Sequence, residues 1–338
     1  MRLKKPKWGI PALLVTVSTV GAAVPASAAT APPSSPTAGE VQCSSSTAEG
    51  QELAAKLSED ISDALKDRKN MVSVSLYDRE KGLTCALDAH KTYDSASVVK
   101  PIVLGALLLS TRDHGGLTDQ DKRLARAMIV SSDNAATTTL WAQLSENGDK
   151  TKPVQIQKFL QAAGMKGTVL DAEGSWGLTQ VTSADQARLL RALTTKNDAD
   201  SPLTAGERTY ALSLMHDVQA DQRWGTPAGA PAGTDVYVKN GWLQRSLTGP
   251  DDPFDRGDWK VNSMGAFQGA GRDYGLVVLT EDNQNRTIGD LTGWYYGIDT
   301  IEAVAKAVHR DLNPNTAQKG TFQPQRPNPA DAFKDSDQ

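Results

Sequence analysis

An α+β fold, or more narrowly a three-layer αβα sandwich whose antiparallel sheet is drawn from both ends of the chain, is what this sequence predicts. Three observations carry the expectation. β patterns occur near the start and return near the end. A long helical stretch from Val98 to about His216 separates them, and an amphipathic helix accompanies each set of strands.

The first of those helices is marked by Leu53, Leu57, Ile61 and Leu65, which recur every four residues and make one apolar face. Met71 to Asp78 then alternates, with Val72, Val74 and Leu76 against Ser73, Ser75 and Tyr77. Arg79 to Gly82 turns the chain into a second run, Leu83 to Leu87, giving a β-hairpin. Helical patterns follow over Val98 to Leu109, Thr118 to Val130, Ala135 to Leu144, Pro153 to Ala163, Thr182 to Leu193 and Leu203 to His216. Thr118 with Asp121, and Thr182 with Asp185, resemble capping boxes at two of these starts. Strand patterns return in Asp235 to Lys239, Trp259 to Phe267 and Tyr274 to Thr280. The last helix is expected from about Gly297 to Leu312, with Ile301, Val304, Ala305 and Val308 inward.

The 338 residues are 39% hydrophobic and 22% charged, the composition of a soluble globular protein. Residues 1–28 run from Arg2, Lys4, Lys5 and Lys7 through an apolar stretch to Ala26-Ser27-Ala28, the order of a secretory signal peptide cleaved after Ala28. The competing reading, an uncleaved membrane anchor, is disfavoured by Pro11 and the shortness of the stretch. Cleavage removes those four basic residues and no acid, so the formal net charge of −4 becomes −8. Such a body has no electrostatic grip on nucleic acid or anionic lipid. Residues 29–47 and 313–338, rich in Pro, Ser, Thr and Ala or lacking an apolar period, read as disordered flanks, leaving 48–312 as the folded domain. Cys43 and Cys85 stand far apart in no CxxC, too little thiol for a zinc or iron-sulfur site. In an exported chain they are expected to pair. His90, His114, His216 and His309 stand singly, so neither a metal nor another cofactor is expected.

Three short motifs could do chemistry. Ser97-Val98-Val99-Lys100 places a hydroxyl and an amine one turn apart at the start of a helix apolar on nearly every side, so Lys100 should be buried. Ser131-Ser132-Asp133-Asn134 falls between two helices, and Lys239-Asn240-Gly241 follows the strand-like Asp235 to Val238. Each alone has an ordinary reading: a serine cap beside a surface lysine, an aspartate cap, a strand end at a turn. SxxK, then SDN, then KxG, each in fitting local structure, is far harder to obtain by chance.

With these residues the sequence resembles the class A β-lactamase and penicillin-binding-protein superfamily of active-site-serine hydrolases, over about residues 48–312. It is also similar to a group of secreted actinobacterial serine hydrolases within it. The resemblance implies a β-lactamase/DD-peptidase-like sandwich with a helical insert. It also implies Ser97 as acylated nucleophile, Lys100 as its base and Ser132 as proton relay to the leaving nitrogen. Asn134 would contact the substrate amide, Lys239 with Asn240 and Gly241 the substrate carboxylate, and the backbone N–H groups of Ser97 and Trp242 the oxyanion. Two neighbouring lysines disfavour each other's charge, which would help keep Lys100 neutral enough to act as base.

The sequence departs from the family in three places. Asn240 stands where a hydroxyl residue is usual, which weakens the carboxylate contact. The stretch between Lys100 and Ser132 is short. In the loop Leu170-Asp171-Ala172-Glu173-Gly174-Ser175-Trp176-Gly177, Glu173 is the sole candidate for the deacylating base, without the family's following Pro and Asn. Arg223 reads as a structural arginine or as a further cation for the carboxylate pocket. The expectation is a secreted monomer, free or wall-associated, that hydrolyses β-lactams through an acyl-enzyme and so contributes to antibiotic resistance. Two rivals are a D-alanyl-D-alanine carboxypeptidase or transpeptidase acting on peptidoglycan stem peptides, and a wall-binding protein that has lost turnover.

Overall fold

The computed structural model describes residues 39–245, 258–283, 291–316 and 320–332. The expected signal peptide lies outside them. Six strands form one antiparallel sheet: β1 (Gln42–Ser45), β2 (Met71–Asp78), β3 (Leu83–Leu87), β6 (Asp235–Gln244), β7 (Trp259–Gly269) and β8 (Arg272–Glu281), in the spatial order β1-β3-β2-β8-β7-β6. The N-terminal hairpin thus joins the C-terminal strands through β2 and β8, paired from Met71–Glu281 to Asp78–Tyr274. A separate pair, β4 (Thr92–Asp94) and β5 (Gln180–Thr182), was not evident in the sequence, since three residues are too few to show alternation.

Helices cover both faces. Tyr274 on β8 donates or accepts a hydrogen bond at His309 Nδ1 on α8 (Thr292–Leu312), whereas at its neighbour Gly275 a Cβ would strike the ring of Tyr77. Tyr77 in turn bonds Thr194 on α6 (Ser183–Thr194). Consecutive residues of a strand face opposite ways, so α8 and α6 lie on opposite faces of the sheet. With α8 packs α1 (Ala48–Leu65), whose Leu57 and Ile61 are fully buried. On the α6 side lies the helical insert, α2 (Lys100–Thr111), α3 (Asp119–Val130), α4 (Asn134–Gln143), α5 (Val154–Ala162) and α7 (Ala205–His216). Every residue of α2 from Lys100 to Leu108 is buried, as an all-round apolar helix must be.

The caps explain the helix starts. Thr118 and Asp121 close a reciprocal box at α3, and Thr204 with Glu207 does so at α7. At α6 only half the expected box forms. Thr182 Oγ1 accepts from the Asp185 N–H, but the Asp185 carboxylate turns away to accept from Gly167 N and Thr168 Oγ1.

Both flanks correct the expected domain limits. Gln42–Ser45 is a strand, because it pairs with β3 and because Cys43 is disulfide-bonded to Cys85 directly opposite, with Cα atoms 4.0 Å apart. Residues 320–332 pack on the domain: Phe322 exchanges backbone bonds with Gly229 and Ala230, and Ala332 is buried. Isolated contacts hold this segment, the apolar ones at Phe322 and Ala332 ten residues apart, which is why no apolar period announced it. The guanidinium of Arg326 pairs with Asp299 and stacks 4.5 Å from the Tyr295 ring.

Candidate active site

The chain leaves β4, turns at Ala96 with φ +45°, and enters a 3₁₀ turn, Ala96–Val99, that runs directly into α2. A non-glycine residue in the left-handed region is strained, and strain of this kind gathers at functional turns. The turn is held from outside: Ser95 Oγ donates to the carbonyls of Trp176 and Gly177, and Asn262 Nδ2 on β7 donates to the carbonyls of Asp94 and Ser95. Ser97 follows. Its hydroxyl is fully buried and has no hydrogen-bond partner among the described residues, a condition that a purely structural serine rarely tolerates.

Lys100, one turn on, is also fully buried. Its amine donates to Ser132 O at 2.7 Å, Ser132 Oγ at 3.0 Å and Asn134 Oδ1 at 2.8 Å. Ser132 lies between α3 and α4 with φ +54°, a second strained non-glycine residue. Its neighbour Asp133 caps α4 by accepting from Ala136 N, so the ordinary reading of that aspartate holds alongside the less ordinary one of Ser132.

Lys239 comes from β6, the edge strand, and is fully buried too. Its amine donates to Ser132 Oγ at 2.9 Å and to Asn240 O at 2.8 Å. One hydroxyl therefore stands between two lysine amines. Gly241 lets the strand approach the nucleophile turn: a Cβ there would lie 2.5 Å from Ser97 N and 2.7 Å from Val98 N. The Asn240 carbonyl accepts from the Lys239 amine, and by strand alternation Trp242, two residues on, turns its backbone groups to the same side of β6. The Trp242 ring is buried behind the strand, tilted against Trp224 and Trp294, and Nε1 donates to the carbonyls of Asp331 and Ala332.

Two expected contacts are absent from this geometry. The Asn240 side chain points away from the site and donates to the carbonyls of Gln222 and Trp224, because alternate strand residues face opposite ways. Glu173 is exposed. The Asp171 carboxylate gathers the N–H groups of Glu173 and Ser175, and Gly174, at φ +80°, lies so close to Lys150 that a Cβ would fall 2.8 Å from its backbone. That turn presents Trp176 to the site instead, its ring 4.9 Å from the Lys100 amine and its Nε1 on Thr138. Trp176 had a visible signal, a large ring among small loop residues, to which no role attached. Arg223 binds the His216 carbonyl and is structural. Among the described residues no group of three or more His, Cys, Asp or Glu side chains could hold a metal.

The fold, with the family match over residues 112–312, supports an enzyme of the serine hydrolase class. A family model described as the beta-lactamase enzyme family matches residues 112–312, more than half of the chain. The chain belongs to the beta-lactamase enzyme family. Among solved structures it is similar to a class A beta-lactamase from Bacteroides cellulosilyticus, with 18% identity, 78% of this chain and 99% of that one covered and a TM-score of 0.60. A class A beta-lactamase from Mycobacterium abscessus gives 20% identity, 75% and 98% coverage and 0.58. A beta-lactamase from Streptosporangium roseum gives 18%, 77%, 99% and 0.58. At such identities these neighbours speak for the fold. No curated protein sequence matches the chain.

Proposed function

We propose that the protein is an exported hydrolase that opens β-lactams through an acyl-enzyme on Ser97. The observation that carries the reading is the Lys100–Ser132–Lys239 chain of hydrogen bonds beside an unpartnered, buried Ser97 hydroxyl. Ser97 Oγ attacks the lactam carbonyl and Lys100 takes its proton. The oxyanion is met by the N–H groups of Ser97 and Trp242. Ser132 passes a proton to the departing ring nitrogen, and Lys239 attracts the carboxylate beside it. Asn134, which accepts from Lys100 through Oδ1, lies where its side-chain amide would meet a substrate carbonyl. Burial and the neighbouring Lys239 amine oppose charge on Lys100, while the three hydrogen bonds it donates to Ser132 and Asn134 favour it, so acting as base requires the amine to shed a proton and give up one of them. Export is supported by the signal-like residues 1–28 and by the Cys43–Cys85 disulfide, a bond at home in oxidising compartments.

A second reading has an observation of its own. With Glu173 exposed, no carboxylate of the 170–177 loop stands by the acylated serine, which favours a long-lived ester and acyl transfer on D-alanyl-D-alanine stem peptides. Both readings share acylation and differ in the fate of the ester. Intact mass spectrometry during incubation with a penicillin, beside a product assay, separates them. Product with a transient adduct supports β-lactam hydrolysis, and an adduct lasting hours supports the penicillin-binding reading. Absence of both would leave a wall-binding protein.

A further inference from the structure

The two backbone donors assigned to the oxyanion lie on segments far apart in sequence, and one ion pair ties those segments together. Asp94 stands three residues before Ser97 and Arg245 three residues after Trp242. The guanidinium binds the carboxylate with two hydrogen bonds, Nε to Oδ2 at 2.7 Å and Nη2 to Oδ1 at 2.8 Å. The side chains are only 1% and 12% exposed, so the pair is shielded from water and fixed in orientation by its fork geometry. The same Oδ1 accepts from Gln180 Nε2 at 2.6 Å, at the start of β5, just beyond the loop that carries Trp176. The Asp94 carbonyl accepts from Asn262 on β7. One residue at the entry to the nucleophile turn thus meets Arg245, just past the end of the oxyanion strand, and Gln180, the first residue of β5 after the loop that carries Trp176.

We infer that Asp94 is a positioning residue for acyl transfer, which, clamped by Arg245, sets the distance between the Ser97 and Trp242 N–H groups. The inference rests on the acyl-enzyme reading above. The spacing needs such a brace. Ala96 is strained, β6 is an edge strand paired on one side among the described residues, and the backbones of the two segments pack closely at Gly241 and Ser97. Oxyanion donors act through their fixed placement, so a shift of well under 1 Å is costly to the rate while leaving substrate binding to Lys239 largely intact.

The test uses the full exported chain with Asp94→Asn, Asp94→Glu and Arg245→Gln. Stopped-flow acylation by a fluorescent penicillin separates the limiting rate from the half-saturating concentration, and phenylboronic acid, which forms a tetrahedral adduct on an active-site serine, reports the oxyanion geometry directly. Expected for Asp94→Asn and Arg245→Gln is a limiting rate about 100-fold lower, half-saturation within about twofold, and boronate affinity falling in step with the rate. Asp94→Glu, which retains the charge, should recover part of both. Folded variants that acylate at the parental rate overturn the inference. So do variants with a lowered melting temperature whose folded fraction binds boronate as tightly as the parent, since the pair would then be structural alone. If Asp94→Asn does not fold, Arg245→Gln is read by the same criteria. A parent protein that takes no acyl group would overturn the site reading itself and this inference with it.

Discussion

His309 shows how far a single residue's state can be read from its partners. It is fully buried between Thr226 and Tyr274. A carbonyl can only accept, so Nε2 carries the proton toward Thr226 O and Nδ1 accepts from the Tyr274 hydroxyl. Burial, which penalises the charged ring, is the main cause that lowers its pKa from 6.5 to about 4. The unfolded chain therefore binds this proton first. Stability is fully present above pH 6.5 and is lost as pH falls from there toward 4, by at most about 3 kcal/mol. Urea midpoints measured from pH 8 to 5 should fall with acid, and His309→Gln should flatten that slope. In the site, Ser97→Ala should abolish labelling by a fluorescent penicillin, as seen by peptide mapping. Lys100→Ala should slow acylation by about two to four orders of magnitude, the usual worth of a positioned base.

The loop from Asp171 to Trp176 carries a prediction of its own as an element. Its turn exposes Glu173 and buries Trp176, so Glu173→Gln should leave the lifetime of the acyl-enzyme within about twofold of the parent by time-resolved mass spectrometry. Trapping of the ester by that variant would mean that Glu173 swings into the site during turnover. This loop marks the border of what the sequence makes legible. Leu57 and Ile61 on α1, the β2–β3 hairpin and the SxxK, SDN and KxG segments announce themselves by local periodicity or order, which short-range physics writes into adjacent residues. The direction of Glu173 depends instead on Lys150 packing against Gly174, and the Asp94–Arg245 pair joins positions 151 residues apart. Neither has a local signature. Likewise Asn240 lay in the right motif, but the strand's alternation turned its amide toward Gln222 and Trp224.

At the scale of the whole molecule, the sheet is closed at one edge by β1 and backed behind the other by residues 320–332. The Cys43–Cys85 crosslink spans 42 residues, and loop-closure entropy makes it worth about 3 to 4 kcal/mol. Reduction should lower the melting temperature measured by circular dichroism, while the folded, reduced protein should acylate at an unchanged rate, since β1 lies at the far edge from β6. The C-terminal contact has the opposite character. Nε1 of Trp242 gives its hydrogen to Asp331 and Ala332, so a chain ending at Leu312 would leave a buried indole N–H unsatisfied behind the strand that meets Ser97. That arrangement carries a consequence for biosynthesis. Translation delivers Ser97 well before Asp331 and Ala332, so the catalytic centre of a nascent chain stays unfinished until that later segment has emerged and docked.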